Sequence, residues 1–261
     1  KTHSIAQMTD QKGVCYIDHG KTVSLSAISK SGISAIKKDL TYHRLDYITK
    51  KPIEEVRFYT LSTNDTITVP KFFTHKSIDG LEVRDFTTAS PMPTQLDFAA
   101  DLFETAEKPQ KTVFDQSVKS LESKGGAVIS LPCGTGKTAI AIALAVHQKV
   151  TTAIIVDQGF LMKQWQERIE QFAPGANIGW IQGDRCEVEG KDFILCSIRS
   201  LASRDYPAKY RRFGLVIFDE CHHLAANTFS GAALKLSYKY SLGLSATIKR
   251  SDGLERIIFS H

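Results

Sequence analysis

No run of apolar residues in this chain is long enough to cross a bilayer as a helix, which excludes a protein held in a membrane by such helices. The first residues are polar and lack the apolar stretch of a secretory leader, so no targeting segment is expected. Cysteine is scarce. Cys15, Cys133, Cys186, Cys196 and Cys221 are odd in number and scattered, which argues against a disulfide framework and for a reduced, soluble, intracellular protein. Neither Cys-X-X-Cys nor His-Glu-X-X-His spacing occurs, so the pair His222-His223 has no zinc pattern behind it. A strong charge of either sign is missing too: 33 Lys/Arg face 28 Asp/Glu, a formal +5. Residues 1–90 hold 13 basic against 10 acidic side chains and the remainder 20 against 18, so the excess is spread along the chain. It permits contact with a phosphate backbone without requiring it. There is no internal repeat and no low-complexity tract.

What is present is ordinary globular material, 42% hydrophobic and 23% charged. At 261 residues, two domains are the natural expectation. Residues 1–90 alternate short β-like runs with turns. Val14-Cys15-Tyr16-Ile17 and Thr22-Val23-Ser24-Leu25 flank Asp18-His19-Gly20-Lys21, a hairpin signal. Ser34 to Leu40 reads as a helix, and Val56 to Leu61 with Thr66 to Val69 as a second hairpin. The reading is a small α+β domain over 1–90 and a linker over 91–107. Pro91 and Pro93 open that linker, and a connecting helix is expected from Leu96 to Ala106. From residue 108 strands and helices alternate. Strands are expected near 127–131, 152–156, 178–181, 192–196, 215–219 and 240–245, with helices near 110–123, 137–148 and 160–172. That rhythm implies an α/β domain over 108–261 with a mostly parallel sheet, whose active loops lie at the carboxyl edge of the strands.

The most informative stretch is Leu131-Pro132-Cys133-Gly134-Thr135-Gly136-Lys137-Thr138, between an apolar strand-like run and an apolar helix-like run. Strand, glycine-rich turn, lysine, helix start is the context of a phosphate-binding loop. The glycines let backbone N–H groups turn toward phosphate oxygens. Lys137 can reach the β- and γ-phosphates, and the Thr138 hydroxyl can hold Mg²⁺. The strict pattern begins with Gly, where this chain has Leu131. A second motif must therefore support the first. Leu215-Val216-Ile217-Phe218 ends in Asp219-Glu220-Cys221-His222, a hydrophobic strand that delivers two carboxylates. Asp219 would orient Mg²⁺ and Glu220 would polarise the attacking water. A third piece, Ser245-Ala246-Thr247, follows another apolar run.

In this order and spacing the three motifs resemble those of superfamily 2 helicases. Leu-Pro-Cys-Gly, Asp-Glu-Cys-His and Leu-Gly-Leu-Ser-Ala-Thr are similar to the XPB-like group, and more so to helicases of large DNA viruses such as the poxvirus transcript-release helicase. Lys249-Arg250-Ser251-Asp252-Gly253 fits their Arg-X-Asp-Gly, and Val69-Pro70-Lys71-Phe72-Phe73 resembles their Val-Pro-Arg-Phe-Tyr. The resemblance runs from about residue 55 to 261 and is strongest from 108 onward. It implies a RecA-like P-loop domain, a site that binds ATP and Mg²⁺, and work on nucleic acid.

Under the resemblance, Gln110 would read adenine, although one residue fewer separates it from Pro109 than in the usual element; Gln116 is the alternative. Pro132, Cys133, Gly134, Thr135, Gly136, Lys137 and Thr138 would form the nucleotide loop, and Thr138 and Asp219 would hold the metal. Lys137, Asp219, Glu220 and His222 would carry the chemistry. Ser245 and Thr247 would couple it to the track. Gln164, in a segment resembling motif Ia, Arg199, in Cys196-Ser197-Ile198-Arg199-Ser200-Leu201, and Lys71 would meet nucleic acid. Trp165 reads as core packing. Duplex DNA is the favoured substrate and RNA the alternative, with transcription or repair machinery as partners and no membrane. If the chain is viral, host cytoplasm or virion is implied. The chain starts at Lys1 and stops soon after the third motif, so a fragment with one motor domain is expected, nearly inactive alone. An arginine finger from a second domain is worth about 10³–10⁵ in rate. A nucleic-acid binding module with a relict ATP site competes with this reading; a P-loop kinase or transporter ATPase would lack the second and third motifs.

Overall fold

The computed structural model describes residues 13–45, 49, 51–219 and 226–246. Its chain divides into two compact units. Among the described residues, the first unit takes those up to Thr87 together with 226–235, and the second takes the rest.

In the first unit β1 (Val14–Ile17) and β2 (Lys21–Ser24) pair antiparallel around the turn at 18–20. Helix α1 (Lys30–Asp39) follows, its start held by the Ser29 hydroxyl, which accepts the Gly32 N–H. Strands β3 (Thr41–Leu45) and β4 (Pro52–Arg57) form a separate two-stranded ladder. β5 (Thr60–Ser62) and β6 (Thr66–Val69) extend the main sheet beyond β2, and β7 (Glu82–Asp85) lies parallel to β1 on the other side. Tyr16, Val23, Ile36, Leu40, Phe58 and Ile67 are buried. The expected continuous strand from Val56 to Leu61 is broken after Arg57: the Phe58 N–H donates to the Leu40 carbonyl, which keeps this part of the run beside β3. β4 therefore pairs with β3, and only β5 completes the hairpin with β6.

The second unit opens with α2 (Gln110–Lys124), β8 (Gly126–Ser130), α3 (Lys137–Gln148), β9 (Thr152–Val156) and α4 (Gly159–Phe172). It continues with β10 (Ile178–Gln182), β11 (Arg185–Cys186), β12 (Phe193–Ser197), α5 (Ile198–Ser203), β13 (Arg212–Phe218) and, after α6 (Ala226–Ala233), β14 (Ser237–Ser245). Seven strands lie in the order β11-β10-β12-β9-β13-β14-β8, all parallel except the short β11 at the edge. A parallel sheet covered on both faces needs apolar residues at successive positions. β9 meets that demand with five buried residues, Thr152 to Val156. Ile140, Leu144, Trp165, Leu195, Ile217 and Leu244 are among those closing the core. β8, β9, β10, β12, β13 and β14, with α2, α3 and α4, fall where the sequence expects them; β11, α5 and α6 were not expected.

Helix α6 is the exception to this sequential order. It lies between β13 and β14 in the chain, yet it belongs to the first unit, where it packs on β4. Beside it, a Cβ placed on Gly20 would meet Leu234 Cδ2 at 3.4 Å.

The expected helix over 96–106 is not formed. Its polar backbone groups are used elsewhere. The Ala99 N–H donates to the Phe172 carbonyl, Phe98 stacks on Phe172, and Leu96 enters the core. The Phe103 carbonyl accepts the N–H groups of Gln110 and Lys111, and the Glu104 carboxylate takes both the N–H and the hydroxyl of Thr112. The start of α2 has no side-chain cap from Pro109, and this extended segment supplies the missing acceptors.

Candidate nucleotide site

Three loops leave the carboxyl edge of the sheet side by side. Ser245 of β14 pairs with Ser130 of β8, and Gly243 with Phe218 of β13. The exits of β8, β14 and β13 are thus neighbours, with β14 in the middle. The Leu131 N–H donates to the Ser245 carbonyl at 3.2 Å, tying the first residue of the glycine-rich loop to the Ser-Ala-Thr strand. Ser245 itself is buried.

The loop is wound by its glycines. Gly134 has φ +79° and Gly136 φ +95°, a left-handed region that costs an L side chain about 1–2 kcal/mol. Gly136 is also the residue before the first turn of α3, and a Cβ there would sit 2.2 Å from Gln110 Nε2. Thr135 closes the turn, its hydroxyl donating to the Pro132 carbonyl at 2.7 Å. Lys137 folds back over the loop, its ammonium donating to the carbonyls of Leu131 (2.9 Å) and Pro132 (3.4 Å). Lys137 is the first residue of α3, so its charge lies at a helix start, where N–H groups lack intrahelical partners and an anion is favoured. Cys133 is exposed on the loop.

Gln110 is only 5% exposed. Its amide donates to the Thr135 carbonyl at 2.8 Å and accepts the Phe103 N–H at 3.0 Å. The structure therefore brings Gln110 to the loop as a strut with both ends engaged. The amide keeps one N–H and one oxygen lone pair beyond these two bonds, so the strut does not by itself exclude an adenine contact. Gln116 is exposed on α2.

Asp219 stands at the end of β13, with its N–H on the Ile155 carbonyl. Its Oδ2 accepts the indole N–H of Trp165 at 2.7 Å. Thr138 and Asp219 line one cavity of about 330 Å³ with Leu161, Gln164, Trp165, Glu167 and Arg168 of α4. Leu161, Gln164, Trp165 and Arg168 recur at helical spacing on one face of α4, with Glu167 at its margin. A hydroxyl and a carboxylate are hard oxygen donors of the kind Mg²⁺ takes, so the residues present fit that ion.

The remaining expectations divide. Gln164 lies in this cavity beside Thr138 and Asp219. Arg199 is exposed and paired with Asp157 at 2.9 Å, so a phosphate would compete with that carboxylate. Lys71, in the first unit, is 7% exposed, its ammonium 5.5 Å from the centre of the Phe72 ring. A contact with nucleic acid there would need the side chain to swing outward. Phe73 is buried as well and stacks on His75. Glu220, His222 and Thr247 lie outside the described residues, as does the segment 249–253. Among the described residues no cluster of His, Cys, Asp and Glu forms a metal cage, and no helix is long and apolar enough to span a membrane.

The sequence reading missed the bond from Trp165 to the acid motif. Its signal was available: a buried indole N–H needs an acceptor, and an aromatic residue on the core face of α4 must find one at a strand end.

The sequence model of the family described as "Type III restriction enzyme, res subunit" matches residues 103–250. The chain belongs to that family. It carries a helicase-type ATPase domain of superfamily 2, related to XPB helicases and to viral helicases. A protein of Acanthamoeba polyphaga mimivirus, named as a candidate ATP-dependent RNA helicase, is 31% identical over 244 residues, 92% of this chain and 46% of that protein. The DNA 3'-5' translocase XPB2 of Sulfurisphaera tokodaii is 34% identical over 148 residues, 53% of this chain and 30% of its own. The chain thus spans less than half the length of either relative. Among solved structures, the UvsW helicase of bacteriophage T4 aligns over 96% of this chain and 97% of its own, with a TM-score of 0.62 at 14% identity. The SWI2/SNF2 ATPase core of Sulfolobus solfataricus, in complex with dsDNA, aligns over 64% of this chain and 37% of its own, with a TM-score of 0.53 at 21% identity. At such identities these likenesses establish the fold, which in this restriction-subunit-type domain is RecA-like.

Proposed function

We propose that this chain binds Mg²⁺·ATP and forms the first motor domain of a translocase that works on duplex DNA, with the first unit as an accessory nucleic-acid element. One observation carries the reading: Thr138, at the start of α3, and Asp219, at the end of β13, line a single cavity beside the loop that holds Lys137. The N–H groups around Gly134, Thr135 and Gly136 would cradle phosphate oxygens. Lys137 would exchange its two carbonyl acceptors for the phosphates. Thr138 and Asp219 would hold Mg²⁺, which when bound offsets negative charge between the phosphates. Glu220 is proposed as the residue that orients water, and His222, Ser245 and Thr247 as the link to the track. Gln164 and Arg199 are proposed contacts on the nucleic-acid side of α4 and α5.

Duplex DNA is favoured because the relative from Sulfurisphaera tokodaii is named a DNA translocase and the SWI2/SNF2 neighbour holds dsDNA. The mimivirus relative, which matches nearly the whole chain, is named for RNA. Titration with duplex DNA, single strands and RNA at several salt concentrations separates these. Duplex DNA is expected to bind tightest and to weaken steeply with salt as counterions are released; a clear preference for RNA overturns the substrate. For the nucleotide, Lys137→Ala is expected to weaken ATP binding about 10- to 100-fold, the loss of charge-assisted hydrogen bonds. Unchanged binding would leave a relict loop.

A further inference from the structure

We infer that Trp165 is a positioning residue for the metal-binding carboxylate of Asp219; this rests on the reading of Asp219 given above. The indole is 2% exposed and sits in the core of the second unit with Met162 and Ile169, on the inner face of α4. Packing on that scale leaves the ring one orientation, so its N–H has a fixed direction. That direction leads to Asp219 Oδ2, 2.7 Å away. The Asp219 main chain is held independently, by its N–H on Ile155. The carboxylate is therefore pinned from two sides, the backbone by β9 and the side chain by α4. A carboxylate that meets a metal is oriented by the hydrogen bonds its oxygens accept, and removing such a partner typically costs 10–100-fold in metal affinity or activity. Thr138 lines the same cavity, so the carboxylate that the indole holds shares it with the second oxygen donor.

The chain has two tryptophans, so the test uses a Trp180→Phe background. In that background Trp165 is replaced by Phe, which keeps an aromatic ring, and separately by β-(3-benzothienyl)alanine, which keeps the indole shape with sulfur in place of N–H. Binding of a fluorescent ATP analogue is followed as a function of Mg²⁺. Both replacements are expected to raise the half-saturating Mg²⁺ about 10-fold or more, while binding without metal stays as in the background. Trp165 emission in the background protein is expected to shift on adding Mg²⁺ with nucleotide, and not in Asp219→Asn. A shift with Phe and none with the benzothienyl variant would assign the effect to ring shape and overturn the inference. If both replacements keep the background metal dependence while Asp219→Asn alters it, the inference alone fails. If Asp219→Asn also leaves it unchanged, the reading of the carboxylate fails first. Melting curves of every variant separate lost folding from lost metal.

Discussion

At Gly136 two constraints meet: a backbone at φ +95° and a neighbour, Gln110 Nε2, standing where a Cβ would go. Gly136→Ala should therefore cost about 1–3 kcal/mol in strain. It should also break the bond from Gln110 to Thr135 and weaken nucleotide binding; thermal melting and an ATP titration check both. Gln110→Ala separates two roles for its amide. As a strut it should cost ATP and GTP affinity alike, whereas an adenine reader would lose ATP selectively, as competition binding would reveal. Cysteine chemistry follows exposure. Burial pushes the Cys15 and Cys196 thiols up, and Cys196 is fully enclosed, so both should resist alkylation. Cys133 is exposed on the glycine-rich loop and should label first among the described cysteines. Peptide mapping after maleimide treatment, with and without ATP, is expected to find Cys133 protected by nucleotide.

The start of α2 is held by residues that precede it rather than by a cap of its own. Hydrogen bonds from the Thr112 hydroxyl and N–H hold the Glu104 carboxyl below its ordinary 4.5. Because the folded value is lowered, this contribution is complete above the ordinary pKa and is lost as pH falls through the lowered one. Acid titration of helix content should thus show a component below about pH 4.5 that Glu104→Gln removes. The same contacts explain why the segment 96–106 was misread. Its composition suits a helix, but tertiary acceptors and donors on α2 and α4 outbid that propensity. β8, β9, β13 and α3 were legible because a doubly covered parallel sheet writes itself as apolar runs. The glycine-rich loop and Asp219 were legible as motifs at the ends of those runs. The burial of Lys71, the strut role of Gln110 and the hold of Trp165 on Asp219 depend on which atoms meet across 25 to 54 positions or on local folding, and no periodicity encodes them.

The second unit takes its stability from the sheet that also aims the site. Ile154 in β9 is wholly buried and lies one residue before Ile155, whose carbonyl holds Asp219. Ile154→Ala is expected to cost about 2–5 kcal/mol. Denaturant unfolding measures that cost, and the midpoint should recover in part on adding Mg²⁺·ATP if the folded site alone binds it. The first unit is assembled differently, from an N-terminal run and an insert that the chain makes between the acid motif and Ser-Ala-Thr. A single break near residue 87 would consequently sever a partner from its strands on one side and strand an orphaned helix within the chain of the second unit on the other. Moving the first unit into another protein would need two pieces of polypeptide transplanted together, and a hybrid made at one junction should misfold where α6 lacks its own β4.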